Sequence, residues 1–153
     1  MKKQFIIACL AILIGQFEGI CQDMGGMTSF VKSDIEGTIT VTASGFAKKK
    51  PESMANASSN AFYTLMFRGI PGSQYKSPMI PNEQEYKNNP VVVEILKGGY
   101  ASFLTDSSLQ SETKLKRKED GVKGIQTQMI MTINCNALRK YLEDNKIIRK
   151  FGL

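Results

Sequence analysis

The sequence predicts a small α+β domain, an antiparallel sheet of three to five strands with two or three helices packed on one face. Three observations carry this expectation. Residues 37–44 alternate Thr38, Thr40 and Thr42 with Ile39, Val41 and Ala43, the period-two pattern of a half-buried strand. Met54, Ala57, Ala61, Leu65 and Met66 recur at helical spacing. Asp120-Gly121 separates two strand-like arms, residues 112–118 and 122–134, and suits a tight hairpin turn because both positions tolerate positive φ.

Composition narrows the function classes. The chain has 153 residues, 20 Lys and Arg against 14 Asp and Glu, three Cys, no His and no Trp. At 42% hydrophobic and 22% charged it falls outside the collagen-like, fully disordered and polytopic membrane classes. The absence of His removes His-based triads, His general bases and most zinc or iron sites. The expectation is a non-enzymatic protein with no catalytic residues, no cofactor and no metal.

Residues 1–21 read as a secretory signal: Lys2 and Lys3, an apolar run over 5–15, then a weakly polar stretch. The run is too short to span a membrane, which needs about 20 residues. Two processing readings stand. In one, Gly19 and Cys21 are the small residues of a cleavage site and the mature chain starts at Gln22. In the other, Cys21 is the lipidated first residue of a lipoprotein, although Ile20 is bulkier than that motif wants. The protein is expected to be exported, periplasmic or outer-membrane-associated, and to touch a membrane only if Cys21 carries lipid. Cleavage after Cys21 removes two Lys and one Glu, lowering the net charge from +6 to +5, and leaves Cys135 as the sole thiol. The fold then rests on its core with no internal disulfide, and Cys135 reads as a small buried residue beside a strand end.

Along the mature chain, residues 22–36 read as a flexible leader containing Gly25 and Gly26, and 37–153 as one domain. Gly45 ends the first strand. Pro51 suits a first helical position, where its missing N–H has no helical partner to lose. A helix over 51–68 follows, closed by Gly69, and its alanines predict close packing on the sheet. Residues 70–90 hold Pro71, Pro78, Pro81 and Pro90, which exclude a long helix or a central strand. This loop is either a packed connector or a contact surface. As a surface it would offer Ile70, Pro71, Tyr75, Met79, Ile80 and Tyr86 to a partner. Residues 91–96 form a six-residue apolar run open to helix or strand; Asn89-Pro90 before it and Gly98-Gly99 after it favour helix. Residues 100–104 read as a short strand. Beyond the hairpin, whose second arm puts Ile125, Thr127, Met129, Met131 and Ile133 on one face, Asn136 caps a helix to about 145 with Leu138 and Leu142 four apart. The tail, 147–153, is apolar enough to dock as an edge strand.

The chemistry-bearing motifs are weak. Ser73-x-x-Lys76 has the spacing of the nucleophile pair in penicillin-interacting serine enzymes, but it lies in a Pro-flanked loop without the partner motifs. Glu83 and Glu85 read as solvated charges rather than an acid/base pair. Gly98-Gly99 lacks the Lys and Ser/Thr of a phosphate loop. Two basic runs, 48–50 and 114–118, read as solvated surface that also discourages edge-to-edge pairing. Anionic headgroups or polysaccharide are the alternative partners; nucleic acid is not expected, since no aromatic residues interleave with these lysines.

The order strand, Gly45-Phe46-Ala47, a helix with Ala55, Ala57 and Ala61 closing at Gly69-Ile70, then a hairpin and a final strand and helix, resembles the small α+β domain of flagellar assembly protein T and related envelope lipoproteins. Phe67-Arg68-Gly69-Ile70-Pro71-Gly72-Ser73, with a Gln22 start, resembles uncharacterised exported proteins of the Bacteroidetes type. The likeness runs over about 37–145 and implies a structural role without catalytic residues. The expectation is a binding or assembly module of the cell envelope with a protein partner there. Its rival is a soluble periplasmic binder of a small ligand or glycan.

Overall fold

The structure, a computed structural model, describes residues 26–33, 37–116 and 123–150. The signal segment, Cys21 and the Asp120-Gly121 turn lie outside them. The described residues form an α+β fold: strands β1 (Thr28–Ser33), β2 (Thr38–Ala47), β3 (Leu104–Lys116) and β4 (Lys123–Asn134), with helices α1 (Lys50–Phe67), α2 (Glu83–Tyr86), α3 (Pro90–Leu96) and α4 (Cys135–Asp144). The sheet is antiparallel in the order β1-β2-β4-β3. The hairpin therefore supplies one central strand, β4, and one edge, β3.

The alternation of β2 sets the layers. Ile39, Val41 and Ala43 point inward with Met129, Met131 and Ile133 of β4, and α1, α3, α4, a 3-10 turn at Gly99–Phe103 and the loop residues Ile70, Ile80 and Ile147 supply the rest of the core. The hydroxyls of Thr40 and Thr132 meet at 3.0 Å on the opposite face.

Gly45 does not end β2, which runs on to Ala47. A Cβ at Gly45 would stand 2.2 Å from the Ser53 carbonyl oxygen and 2.4 Å from the Ala57 amide nitrogen, so glycine here lets the α1 backbone touch the sheet. Three polar side chains of α1 exploit that closeness. Ser53 donates to the Gly45 carbonyl (2.9 Å), Asn56 to that of Phe46 (2.9 Å) and Asn60 to that of Ser44 (2.8 Å). Pairing with β1 stops at Thr28↔Ala43, so Ser44 and Phe46 lie just past the end of that neighbour. Four helical residues rise about 6.0 Å and two strand residues about 6.6–6.8 Å, so Asn56 and Asn60 match alternate carbonyls of β2. On the other side of β2, the Ser53 hydroxyl accepts the Thr127 N–H (3.1 Å), joining β2 to β4 through the helix. Ala57 and Ala61 are fully buried, as close packing predicts, while Ala55 is exposed.

Four local expectations need correction. Residues 28–33, assigned to a flexible leader, form β1, which the alternation test misses because its ladder shifts register between Phe30 and Lys32. Residues 100–103 form a 3-10 turn rather than a strand, because Tyr100 stacks on Phe62 (5.7 Å between centroids) and Phe103 packs on Tyr141 (5.4 Å). The last helix begins earlier, since Asn134, closing β4, itself caps α4 by accepting the Ala137 N–H (2.9 Å). Of the tail expected as an edge strand over 147–153, residues 147–150 form no strand and 151–153 lie outside the described residues. Lys146 adopts φ 60° and turns the chain back, so that the Ile147 N–H bonds the Leu142 carbonyl at 2.9 Å and its side chain is buried.

Replacing Ser53 by Ala leaves the Gly45 carbonyl and the Thr127 N–H without their partner in a buried place, and should cost about 2–4 kcal/mol. Asn60→Ala should cost less and Asn56→Ala, at an exposed bond, about 1 kcal/mol or below. Gly45→Ala should destabilise by about 3 kcal/mol through overpacking against backbone. Urea unfolding of the four variants checks the order; a Ser53→Ala chain as stable as wild type would refute the bridging role.

Candidate functional site

The Pro-rich segment is tied down at close intervals. Gly69 closes α1 at φ +76°, its N–H on the Thr64 carbonyl at 2.8 Å, and a Cβ there would meet the Lys76 carbonyl oxygen at 2.3 Å. Ile70 N–H bonds the Tyr75 carbonyl and Ile80 N–H the Met66 carbonyl, both at 2.8 Å. The six residues expected to meet a partner therefore separate. Ile70 and Ile80 are fully buried in the core, which removes them from any contact surface. Tyr75 and Met79 are half-buried against that core, Pro71 is exposed, and half-buried Tyr86 lines an open cleft with residues 146–150. The connector reading accounts for most of the loop.

The chemistry-bearing side chains are held in structural bonds. Ser73 Oγ donates to the Ile70 carbonyl (2.8 Å) and accepts the Tyr75 N–H (3.0 Å), which fixes a tight turn and commits its proton away from Lys76. Glu83 accepts a hydrogen bond from the Tyr63 hydroxyl and pairs with Arg68 at 3.1 Å, clamping α2 onto α1. Burial first and the Glu83 hydrogen bond second hold the Tyr63 phenol above its usual 10.0. Glu85 accepts from the Asn82 amide at 2.9 Å, so the two carboxylates serve separate local contacts. Among the described residues no group of three or more His, Cys, Asp or Glu could hold a metal ion.

Cys135 opens α4 from the core side, with no exposed surface. Burial pushes its thiol from the ordinary 9.0 up to about 12, outweighing the hydrogen bonds from Tyr75 and the Ile39 backbone that favour the thiolate. The Tyr75 phenol is likewise raised, by burial and then by the neighbouring Cys135. A thiol so placed is a packing group.

Two open clefts remain. One, about 580 Å³, lies between Tyr86, Glu143 and residues 146–150. The other, about 420 Å³, is at the far end of the sheet and is lined by Lys48, Lys114, Leu115, Lys123, Gly124 and Ile125. Lys48 of one basic run and Lys114 of the other, read separately as solvated surface, meet there because Ala47 pairs with Ile125 and Lys114 pairs with the same residue from the other side. Lys50 is neutralised by Glu112 at 2.8 Å and Lys49 lies 3.7 Å from Glu52. Lys48, Lys114 and Lys123 make no ion pair with a described residue. Composition pointed to each run; only strand register joins them. Among the described residues no helix is long and apolar enough to cross a membrane.

The raised Cys135 value has a pH consequence. A folded-state pKa above the unfolded one contributes stability that is present below about pH 9 and is lost as pH rises toward about 12. The urea midpoint should therefore fall through this range, and Cys135→Ala should flatten the first part of the fall. In the folded chain Cys135 should resist iodoacetamide at pH 8, reacting at least about a hundredfold more slowly than in urea when followed by peptide mass. Equal rates in the two states would show the thiol to be accessible. Comparison with known proteins returns no match to the chain among family models, curated proteins or solved structures.

Proposed function

We propose that this chain is an exported, non-enzymatic module of the cell envelope that binds or assembles with a protein partner through an open surface. The observation that carries the reading is the outer face of the sheet. The described helices pack on the face of Ile39, Val41 and Met131, and none lies over the opposite one. That face presents Ser29 and Thr42, then Gln126, Gln128 and Thr132, then Ser108, Ser111 and Thr113, around half-buried Phe46 and Ile130, with exposed Leu115 at one end. Lys32 and Asp106 are its charged residues among the described strands, so a partner can cover most of it without desolvating many ions. The engagement of Ser73, Glu83 and Cys135 in structural bonds supports a role without turnover. The signal-like residues 1–21 and the resemblance to envelope domains supply the compartment. Ser73→Ala and Lys76→Ala should accordingly leave function intact.

The test is affinity purification of a C-terminally tagged chain from detergent-solubilised native envelope, with intact mass read on the same sample. A stoichiometric envelope partner, lost in the Ser108→Arg, Gln128→Arg double variant with unchanged unfolding, is the expected result. The mass distinguishes lipid on Cys21 from a chain starting at Gln22. An unmodified monomer without partner would overturn the assembly reading in favour of a soluble binder of a small ligand or glycan, for which the cleft at Tyr86 is the place to screen.

A further inference from the structure

Lys32 and Asp106, the charged residues of the outer face among the described strands, lie in one row. Lys32 pairs with Thr40, Thr40 with Thr132 and Thr132 with Asp106, so these four residues run in line across β1, β2, β4 and β3. Three strand spacings, about 14 Å, separate the cation from the carboxylate, too far for them to neutralise each other within one chain. The row therefore has a positive end on one edge strand and a negative end on the other. That polarity is complementary to itself. A two-fold axis parallel to the strands, lying over the middle of the sheet between β2 and β4, sets β1 of one copy over β3 of the other, and Lys32 of each over Asp106 of the other. An axis across the strands would instead set lysine on lysine and aspartate on aspartate, so charge selects a single orientation.

We infer that the outer sheet face binds a second copy of this chain, forming a reversible two-fold dimer whose register is set by two Lys32–Asp106 pairs. The dimer rests on the reading of that face as a protein-binding surface proposed above, and gives that surface its partner. Sheets stacked face to face with aligned strands lie about 10 Å apart, a gap that a lysine and an aspartate span together. Both charges belong to edge strands, so the pairs form at the rim, where they stay hydrated and fix orientation rather than supply most of the affinity. At the centre the same axis places Ile130, the neighbour of Thr42 in the sheet, over Thr42 of the second copy, and the reverse contact forms by symmetry. The Thr40 and Thr132 hydroxyls bond each other at 3.0 Å, so part of their hydrogen bonding is met before the copies meet. Lys32 also interacts within its own chain, and an ammonium with three donors can serve both contacts. A foreign partner would have to bring its own charges at this spacing; a second copy carries them by symmetry.

The experiment is sedimentation velocity of the purified chain over a range of concentrations, with urea unfolding measured at a dilution where it is monomeric. A monomer–dimer equilibrium is expected, weakening as salt is raised. Lys32→Glu and Asp106→Lys should each weaken it about thirtyfold, since either reversal turns two attractions into two repulsions, with the urea midpoint unchanged. The variant carrying both reversals should recover dimerisation to within about threefold of wild type, a rescue that separate structural roles for the two residues would not give. Ser108→Arg with Gln128→Arg should abolish it. A chain that stays monomeric, a dimer indifferent to the single reversals, or a double reversal no better than the single ones would overturn the inference. Capture of a different envelope protein by a monomeric chain would refute the second copy and leave the assembly reading standing. A monomer that captures nothing would refute both.

Discussion

The fold depends on the close seating of α1 across β2. Gly45 permits it, and Ser53, Asn56 and Asn60 convert it into hydrogen bonds on three successive carbonyls of one strand. Regular pairing with β1 has ended at this point, and Met27 keeps only the Ser44 N–H (3.1 Å) and hydroxyl (3.1 Å), not its carbonyl. Backbone carbonyls left there without partners would be costly wherever water is excluded. The helix thus acts as a substitute strand over a short length, and it does so with side chains, which a helix can project only at the spacing the strand happens to need. Ala57 and Ala61 keep the approach short enough for those side chains to reach.

From that contact the remaining architecture follows. With α1 fixed, its C-terminal end places Gly69 against the returning chain at Lys76, and the Pro-rich segment is drawn back by bonds to Met66, Tyr63 and Arg68. Of the residues that in sequence suggested a contact surface, Ile70 and Ile80 go to the core and Tyr75 and Met79 pack half-buried against it, while the four prolines of the segment stay exposed. The prolines prevent regular structure, but regular structure is not the only way to bury Ile70 and Ile80. Ser73 shows the same economy, its hydroxyl closing a turn rather than facing a substrate.

The proposed function rests on a surface rather than on a reactive centre. Two surfaces differ in chemistry: the outer sheet face is largely hydroxyl- and amide-rich, with Leu115 at one end, while Lys48, Lys114 and Lys123 line a cleft at the end of the sheet. They are set by different structural facts, the one-sided covering of the sheet and the unequal lengths of β2 and the β3–β4 hairpin.

By itself the sequence determined those elements whose identity is written in local periodicity and local caps. The alternation in β2, the spacing in α1, the Asn89-Pro90 start of α3 and the inward row on β4 are visible because each element buries one face and exposes the other. β1 and the first half of β3 were hidden for the converse reason. Both are edge strands that pack only Phe30, Leu104 and Leu109 against the core, and register shifts at Phe30/Lys32, Leu104/Asp106 and Leu109/Ser111 break the alternation that would reveal them. The polar residues of α1 were equally mute, since a Ser or Asn in a helix looks solvated until a strand carbonyl is found opposite it. Only the tertiary structure decided that Lys48 and Lys114 line one cleft and that Ile70 and Ile80 are core, because both depend on register and chain return, which bring together residues too far apart in sequence for any local pattern to connect.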